Sequence, residues 1–207
     1  MLRTASGNER KVARLDRDRP LVEAAQRDAR QFEALYRKYL APVYNFALYE
    51  LHDHHAAEDA TERTFLRALA ALPRFEERAG ADDPADASTF RVWLFRIARN
   101  VLANERRTNR RRPSASLDAS IDAGLAVADE RDLEAETVAR VDAAEAFRAV
   151  GRLPADRRRA VILRIVDELS TAEIASILGR SEGAVRVLIH RGLRTVAREL
   201  RRAGGAR

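Results

Sequence analysis

Apolar residues recur along this chain at every third and fourth position with charged residues filling the intervals, and no run alternates apolar residues with polar β-formers. That spacing builds helix, because 3.6 residues per turn bring i, i+3, i+4 and i+7 to one side. Pro20 opens a first helix to about Leu40, with Phe32, Leu35, Tyr36 and Tyr39 on its inner face. Ala41-Pro42 is expected to break it, since proline offers no N–H to the carbonyl four residues back. A second helix runs from Pro42 to about Leu51, and a third from Ala56 to about Leu72 on Phe65, Leu66, Leu69 and Leu72. Residues 76–88, rich in Gly, Ala, Asp and Pro, read as a loop before a long helix from about Ser88 to Arg111, which Pro113 stops. Periodicity fades over 113–128, resumes from Leu133 to Val150, restarts at Pro154 and continues as helices Thr171–Leu178 and Glu182 to about Arg201. The expectation is an all-α chain: a polar tail over 1–19, a helical domain over 20–112, a linker over 113–132 and a second helical domain over 133–207.

The last two helices carry a tighter signature. Ser170 and Glu173 stand at capping-box spacing, each able to satisfy the other's backbone N–H, ahead of an apolar stripe of Ile174, Ile177 and Leu178. Gly179 supplies the turn, and Ser181 caps the next helix, whose stripe is Val185, Leu188, Ile189, Leu193 and Val196. Ala175, Gly179 and Val185 thus occupy the small, turn and interhelical core positions of a helix-turn-helix. Arg186, Val187, His190, Arg191 and Arg194 fall on the opposite face. Arg186 and Arg191 suit guanine edges or phosphates, and an outward Val187 suits a thymine methyl. His190 fits a phosphate cap and Glu182 the helix dipole, while a helical hairpin with a basic outer face is the plainer alternative.

Charge sharpens the picture. The whole chain has a net charge of +6, but residues 91–112 hold eight Arg against Glu105 alone, and residues 113–147 hold nine acids against two Arg. From Arg148 onward 14 Arg face six acids, so two basic bodies flank an acidic connector. Clustered arginine releases counterions from a polyanion, although a pair of solvated helix faces explains the map equally well. On the long helix Leu94, Ile97, Ala98 and Val101 take one side and Arg96, Arg99, Asn100, Arg107 and Arg110 the other, a stripe that can follow a sugar-phosphate backbone. Trp93 is assigned to the core, with base stacking as the lesser reading.

Composition removes other classes. With no Cys among 207 residues, disulfide scaffolds, thiolate zinc sites and cysteine switches are excluded. No apolar stretch approaches the roughly 20 residues that cross a bilayer, and Met1–Arg19 lacks an apolar signal core, so a cytoplasmic protein without membrane insertion is expected. His52, Asp53, His54 and His55 invite a metal reading, but they fall in an interhelical turn far from the fourth histidine, where solvated polar residues are the commoner occupants. No phosphate-binding glycine loop or nucleophile elbow is present. We expect no enzyme, no metal and no cofactor.

Together these residues resemble the bacterial RNA polymerase sigma factors of the sigma-70 family, extracytoplasmic-function (ECF) type. The likeness rests on Ala57-Glu58-Asp59, Thr64-Phe65-Leu66-Arg67-Ala68 and Trp93-Leu94-Phe95-Arg96-Ile97-Ala98-Arg99-Asn100 with the following Arg cluster. In the second half it rests on Leu153-Pro154, Leu169-Ser170, Glu173-Ile174-Ala175, Ile177-Leu178-Gly179 and Ser181-Glu182-Gly183-Ala184-Val185-Arg186. The resemblance implies that Glu58, Asp59, Glu62, Phe65 and Arg67 dock on the β′ clamp helices of core RNA polymerase. It implies that Arg96, Arg99, Asn100, Asn104, Arg106 and Arg107 hold the promoter's unwound minus-ten element. Ser181, Glu182, Arg186, Val187, His190 and Arg191 would enter the major groove of the minus-thirty-five element, with the second domain meeting the β-subunit flap. The acidic linker would pass through the RNA exit path, and an anti-sigma protein is a further implied partner.

Two departures stand out. Where the family commonly has Gln-Glu or Gln-Asp, this chain has Glu62-Arg63, which would weaken or reorient docking; where an Asp commonly follows the Ile-Ala-Arg-Asn motif, it has Asn104. The loop over 76–88, which in the family captures a flipped base, lacks aromatics beyond its flanks. The rival reading is a helix-turn-helix regulator acting on duplex DNA without polymerase.

Overall fold

The computed structural model describes residues 18–77, 89–109, 145–165 and 167–204. Most of the tail, most of the loop at 76–88, the linker over 113–132 and the start of the helix expected at Leu133 lie outside the described residues. The rest is helical, with no strand among the described residues: α1 Arg19–Arg27, α2 Phe32–Leu51, α3 His54–Ala71, α4 Thr89–Asn109, helical residues 145–151, then α5 Ala155–Ile165, α6 Thr171–Leu178 and α7 Glu182–Gly204.

The expected break at Ala41-Pro42 does not occur. It falls instead at Asp28, whose backbone is extended (φ −140°, ψ 112°) and whose carboxylate accepts the Arg30 N–H at 3.0 Å. Pro42 rides inside α2. A proline there costs about 3 kcal/mol, and the burial of Tyr39, Val43, Phe46 and Ala47 on both sides of it offsets that cost. The helix ends at His52, held in the left-handed region (φ 56°, ψ 30°) with its N–H on the Leu48 carbonyl. Asp53 then caps α3 by accepting the Ala56 N–H at 2.8 Å.

Leu35, Phe46, Phe90, Leu94 and Phe95 fill the space among α2, α3 and α4 with essentially no exposure. The same core continues through Ile162, Leu163, Leu169, Ile174, Ile177 and Val185, which join α5, α6 and α7. Trp93 is half-buried beside Phe75 and Phe90, packed against the edge of this core. The two halves are packed together, with α4 against α6 and α2 against α5.

Asp167 lies at that seam with neither carboxylate oxygen hydrogen-bonded, and burial pushes its pKa well above the usual range against the pull of Arg91. A carboxyl whose folded pKa is raised contributes least when ionised, so stability falls as pH rises from the ordinary Asp range through the raised value. Asp167→Asn is expected to stabilise the fold at neutral pH by about 1–3 kcal/mol and to lose that advantage in acid. Calorimetry at the two pH values checks this; a variant less stable than wild type at neutral pH would contradict it.

Candidate nucleic-acid interface

The helix-turn-helix forms through the local chemistry its residues carry. Ser170 Oγ accepts the Glu173 N–H at 3.2 Å while the Glu173 carboxylate accepts the Ser170 N–H at 2.9 Å. Gly179 sits in the left-handed region (φ 66°, ψ 43°) with its N–H on the Ala175 carbonyl, and Ser181 Oγ accepts the Ala184 N–H at 3.3 Å. Fully buried Val185 seats α7 on α6. With the stripe turned inward, Ser181, Glu182, Arg186, Val187, His190 and Arg191 are all exposed. Arg186 pairs with Glu182 one turn back at 2.8 Å, which holds the guanidinium along the helix surface. Leu193 departs from the expected stripe and is exposed.

The arginines of α4 are arranged differently. Arg96 donates to the Ser176 carbonyl at 3.1 Å and to Ser176 Oγ at 2.7 Å, and Arg99 donates to the Ile177 carbonyl, so both lie on α6. Arg106 pairs with Glu50 of α2 at 3.1 Å. Arg107 donates to Asn104 Oδ1 at 2.9 Å, and Asn100 lines a cleft with Arg99, Arg159 and Arg180. The six residues share one helix, but half of them are engaged across its flanks.

A third feature lies between α2 and α3. Tyr36, Leu40, Leu66 and Leu69 wall an open apolar groove with Phe65 on its floor and Glu58 and Glu62 on its rim. Phe65 is buried and meets Phe32 and Tyr36 edge-on, so it shapes the groove, whereas Leu66 is 58% exposed. Asp59 and Arg67 are exposed on α3 but are not among the residues lining the groove. Arg63 bridges to Glu105 of α4 and lies 4.0 Å from Asp59, tying α3 to the neighbouring helix.

The family model for sigma-70 region 2 matches residues 35–112, and that for sigma-70 region 4 matches residues 144–203. The RNA polymerase sigma-H factor of Pseudomonas aeruginosa is 31% identical over 191 residues, spanning 89% of this chain and 94% of that protein. This chain belongs to the sigma-70 family. Within it, the ECF RNA polymerase sigma factor BldN of Streptomyces coelicolor is 36% identical over 181 residues, which cover 87% of this chain and 64% of BldN. In fold, this sigma-70 member is similar to the sigma factor RpoE of Bartonella quintana, solved with the anti-sigma factor NepR (TM-score 0.60, 23% identity, 82% of this chain and 96% of that one).

Sequence reasoning overlooked two sets of residues in this sigma-70 chain. The first is Glu50, fully buried, with Arg106 at 3.1 Å, Arg158 at 3.3 Å and Arg159 at 3.0 Å around its carboxylate. Its signal was available: an acid at the i+3 position from Ala47 on the apolar side of α2. The second is the bidentate pair of Arg91 with Glu173, at 2.6 and 2.7 Å from Nη2, for which nothing local gave notice. Burial acts to lower Arg91, but the hydrogen bonds and charge of Glu173 outweigh it and raise the group above its ordinary value. The histidines of the turn are dispersed: His54 contacts Tyr44 Oη, His55 faces Glu58, and the His52 ring stands perpendicular to that of Phe147. Burial, with Arg158 nearby, lowers the pKa of His52. No helix among the described residues is long and apolar enough to cross a membrane.

Proposed function

We propose that this chain is a cytoplasmic, non-enzymatic ECF sigma factor that brings core RNA polymerase to a two-part promoter and stabilises its melting. The observation that carries the reading is the pairing, on one chain with both sigma-70 regions, of an exposed apolar groove rimmed by carboxylates and an exposed recognition helix. In this reading residues 20–112 dock on the β′ clamp helices through Glu58, Asp59, Glu62, Arg67 and the groove that Phe65 shapes, with Leu66 added to the set. Arg96, Arg99, Asn100, Asn104, Arg106 and Arg107 hold the open minus-ten strand. Residues 133–207 read the minus-thirty-five element through Ser181, Glu182, Arg186, Val187, His190 and Arg191, and the linker over 113–132 follows the RNA exit path. Melting needs no cofactor, since capture of an unstacked base offsets the few kcal/mol of lost stacking. A protein of the anti-sigma class is a further partner in this reading; the Bartonella sigma factor of similar fold was solved in complex with one.

Run-off transcription with purified core enzyme on genomic promoter fragments tests the reading. Defined start sites that depend on this chain are expected; duplex binding without any transcription would favour a polymerase-independent regulator. On the promoters so found, Arg186→Ala should relax sequence preference in the upstream element at a cost of about 1–3 kcal/mol. Unchanged promoter choice would remove Arg186 from the groove.

A further inference from the structure

Arg63 stands where the family commonly carries an acid, and it does not line the groove between α2 and α3. Its guanidinium crosses to α4, where Nη1 donates to Glu105 Oε1. Asp59, at 4.0 Å, lies beyond hydrogen-bond reach, so Glu105 takes the directed bond. Glu105 is the one acid among residues 91–112, which hold eight Arg. It follows buried Val101 and Leu102 by one turn, and its side chain is 19% exposed. None of residues 103–107 is buried, so no apolar side chain among them seats this turn of the helix. Two ion pairs carry the turn onto its neighbours, Glu105 with Arg63 of α3 and Arg106 with Glu50 of α2. Glu50 divides its carboxylate among Arg106, Arg158 and Arg159, whereas Glu105 receives Arg63. Asn104, Arg106 and Arg107, half of the proposed minus-ten set, lie within two residues of Glu105.

We propose that Arg63 is a positioning residue for the minus-ten contact: it draws Glu105 sideways onto α3 and cancels its charge, so that the strand meets the arginines of α4 without a competing carboxylate. The proposal rests on α4 being the minus-ten helix, and it gives a residue of the docking helix a part in holding DNA. A Glu105 carboxylate released from Arg63 would repel phosphates within a Debye length, about 8–10 Å. It would also offset one of the cations that displace counterions from the strand. The pair adds little to folding, because half of the Arg63 side chain is exposed and solvent screens it. Its effect therefore falls on the DNA complex.

Holoenzyme reconstituted from core polymerase and the full chain is titrated with a fork-junction probe, labelled on its single-stranded minus-ten tail and built from a promoter that run-off transcription has identified. Arg63→Ala should bind this probe about fivefold to tenfold more weakly, and the slope of log K against log salt should become shallower by about 0.7, the share of one single-strand phosphate. Adding Glu105→Gln to Arg63→Ala should restore affinity to within about twofold of wild type, and the slope with it, because the charge that Arg63 cancels is then gone. Arg63→Lys should behave as wild type. Melting temperature and affinity for core enzyme should stay unchanged in all three variants. A defect in Arg63→Ala that Glu105→Gln fails to rescue would make Arg63 itself the contact and overturn the proposal. Loss of core affinity in Arg63→Ala, or probe binding equal to wild type, would overturn it as well. The two readings fail separately: absence of transcription from wild type counts against the sigma-factor reading, whereas normal transcription with an unaffected Arg63→Ala counts against this role alone.

Discussion

Leu66→Asp is expected to weaken binding to core RNA polymerase by about fiftyfold to a hundredfold while leaving the melting temperature of the chain unchanged. Leu66 is 58% exposed on α3 beside the apolar groove, so the folded chain gains little from its side chain. In a docked complex the same side chain would be buried. Losing a central apolar anchor costs about 2 kcal/mol or more, and placing an unpaired carboxylate in a dry interface adds to that. Each 1.4 kcal/mol is tenfold in affinity. Competition for labelled core enzyme measures the effect, and Leu66→Ala should give a smaller loss in the same direction. Phe65→Ala is a poor substitute, since Phe65 is buried against Phe32 and Tyr36 and its truncation would disturb the fold itself. Wild-type affinity in the aspartate variant would show that polymerase docks elsewhere.

Gly192→Val is expected to unfold the C-terminal half and abolish duplex binding while the N-terminal half remains folded. A Cβ on Gly192 would stand 2.6 Å from Val161 Cγ2, with the Arg157 carbonyl and Leu153 Cδ1 at 3.6 Å. Val161 is buried and branched at Cβ, so it has no alternative rotamer into which to retreat. Helices α5 and α7 must then separate, and overpacking of this kind costs about 1–3 kcal/mol or more, a large share of the stability of so small a unit. Gly183 on the same helix is the control: a Cβ there meets nothing within 4 Å, so Gly183→Ala should stabilise by about 0.5–1 kcal/mol through helix propensity. Thermal melting followed by circular dichroism, with limited proteolysis to identify the surviving half, separates the two. Equal melting curves for Gly192→Val and wild type would refute the close approach.

Local chemistry made much of the site legible in advance. The capping box at Ser170 and Glu173, the left-handed turn at Gly179 and the inward Val185 each follow from residues within one turn of each other, so spacing was sufficient to anticipate them. The helix-turn-helix therefore orients its own outer face without reference to the rest of the chain. The break in the first helix was misplaced because the proline rule is local, whereas the burial around Pro42 that overrides it is supplied by α3 and α4. Leu193 was misjudged for the same reason, since an apolar residue on a stripe is buried only where a neighbouring helix reaches it.

Helical class, the two basic bodies and the helix-turn-helix were thus determined by sequence, through periodicities and caps that act over four residues or fewer. Tertiary structure alone decided which charges meet. Glu50 and Arg158 are 108 positions apart and Arg91 and Glu173 are 82 apart, and no periodic rule couples positions so distant. An arginine stripe on a helical wheel looks the same whether it faces solvent, DNA or another helix. Here α6 stands against α4 and supplies Ser176 and the Ile177 carbonyl as acceptors, because burial of apolar surface between the two halves brings them within hydrogen-bond reach.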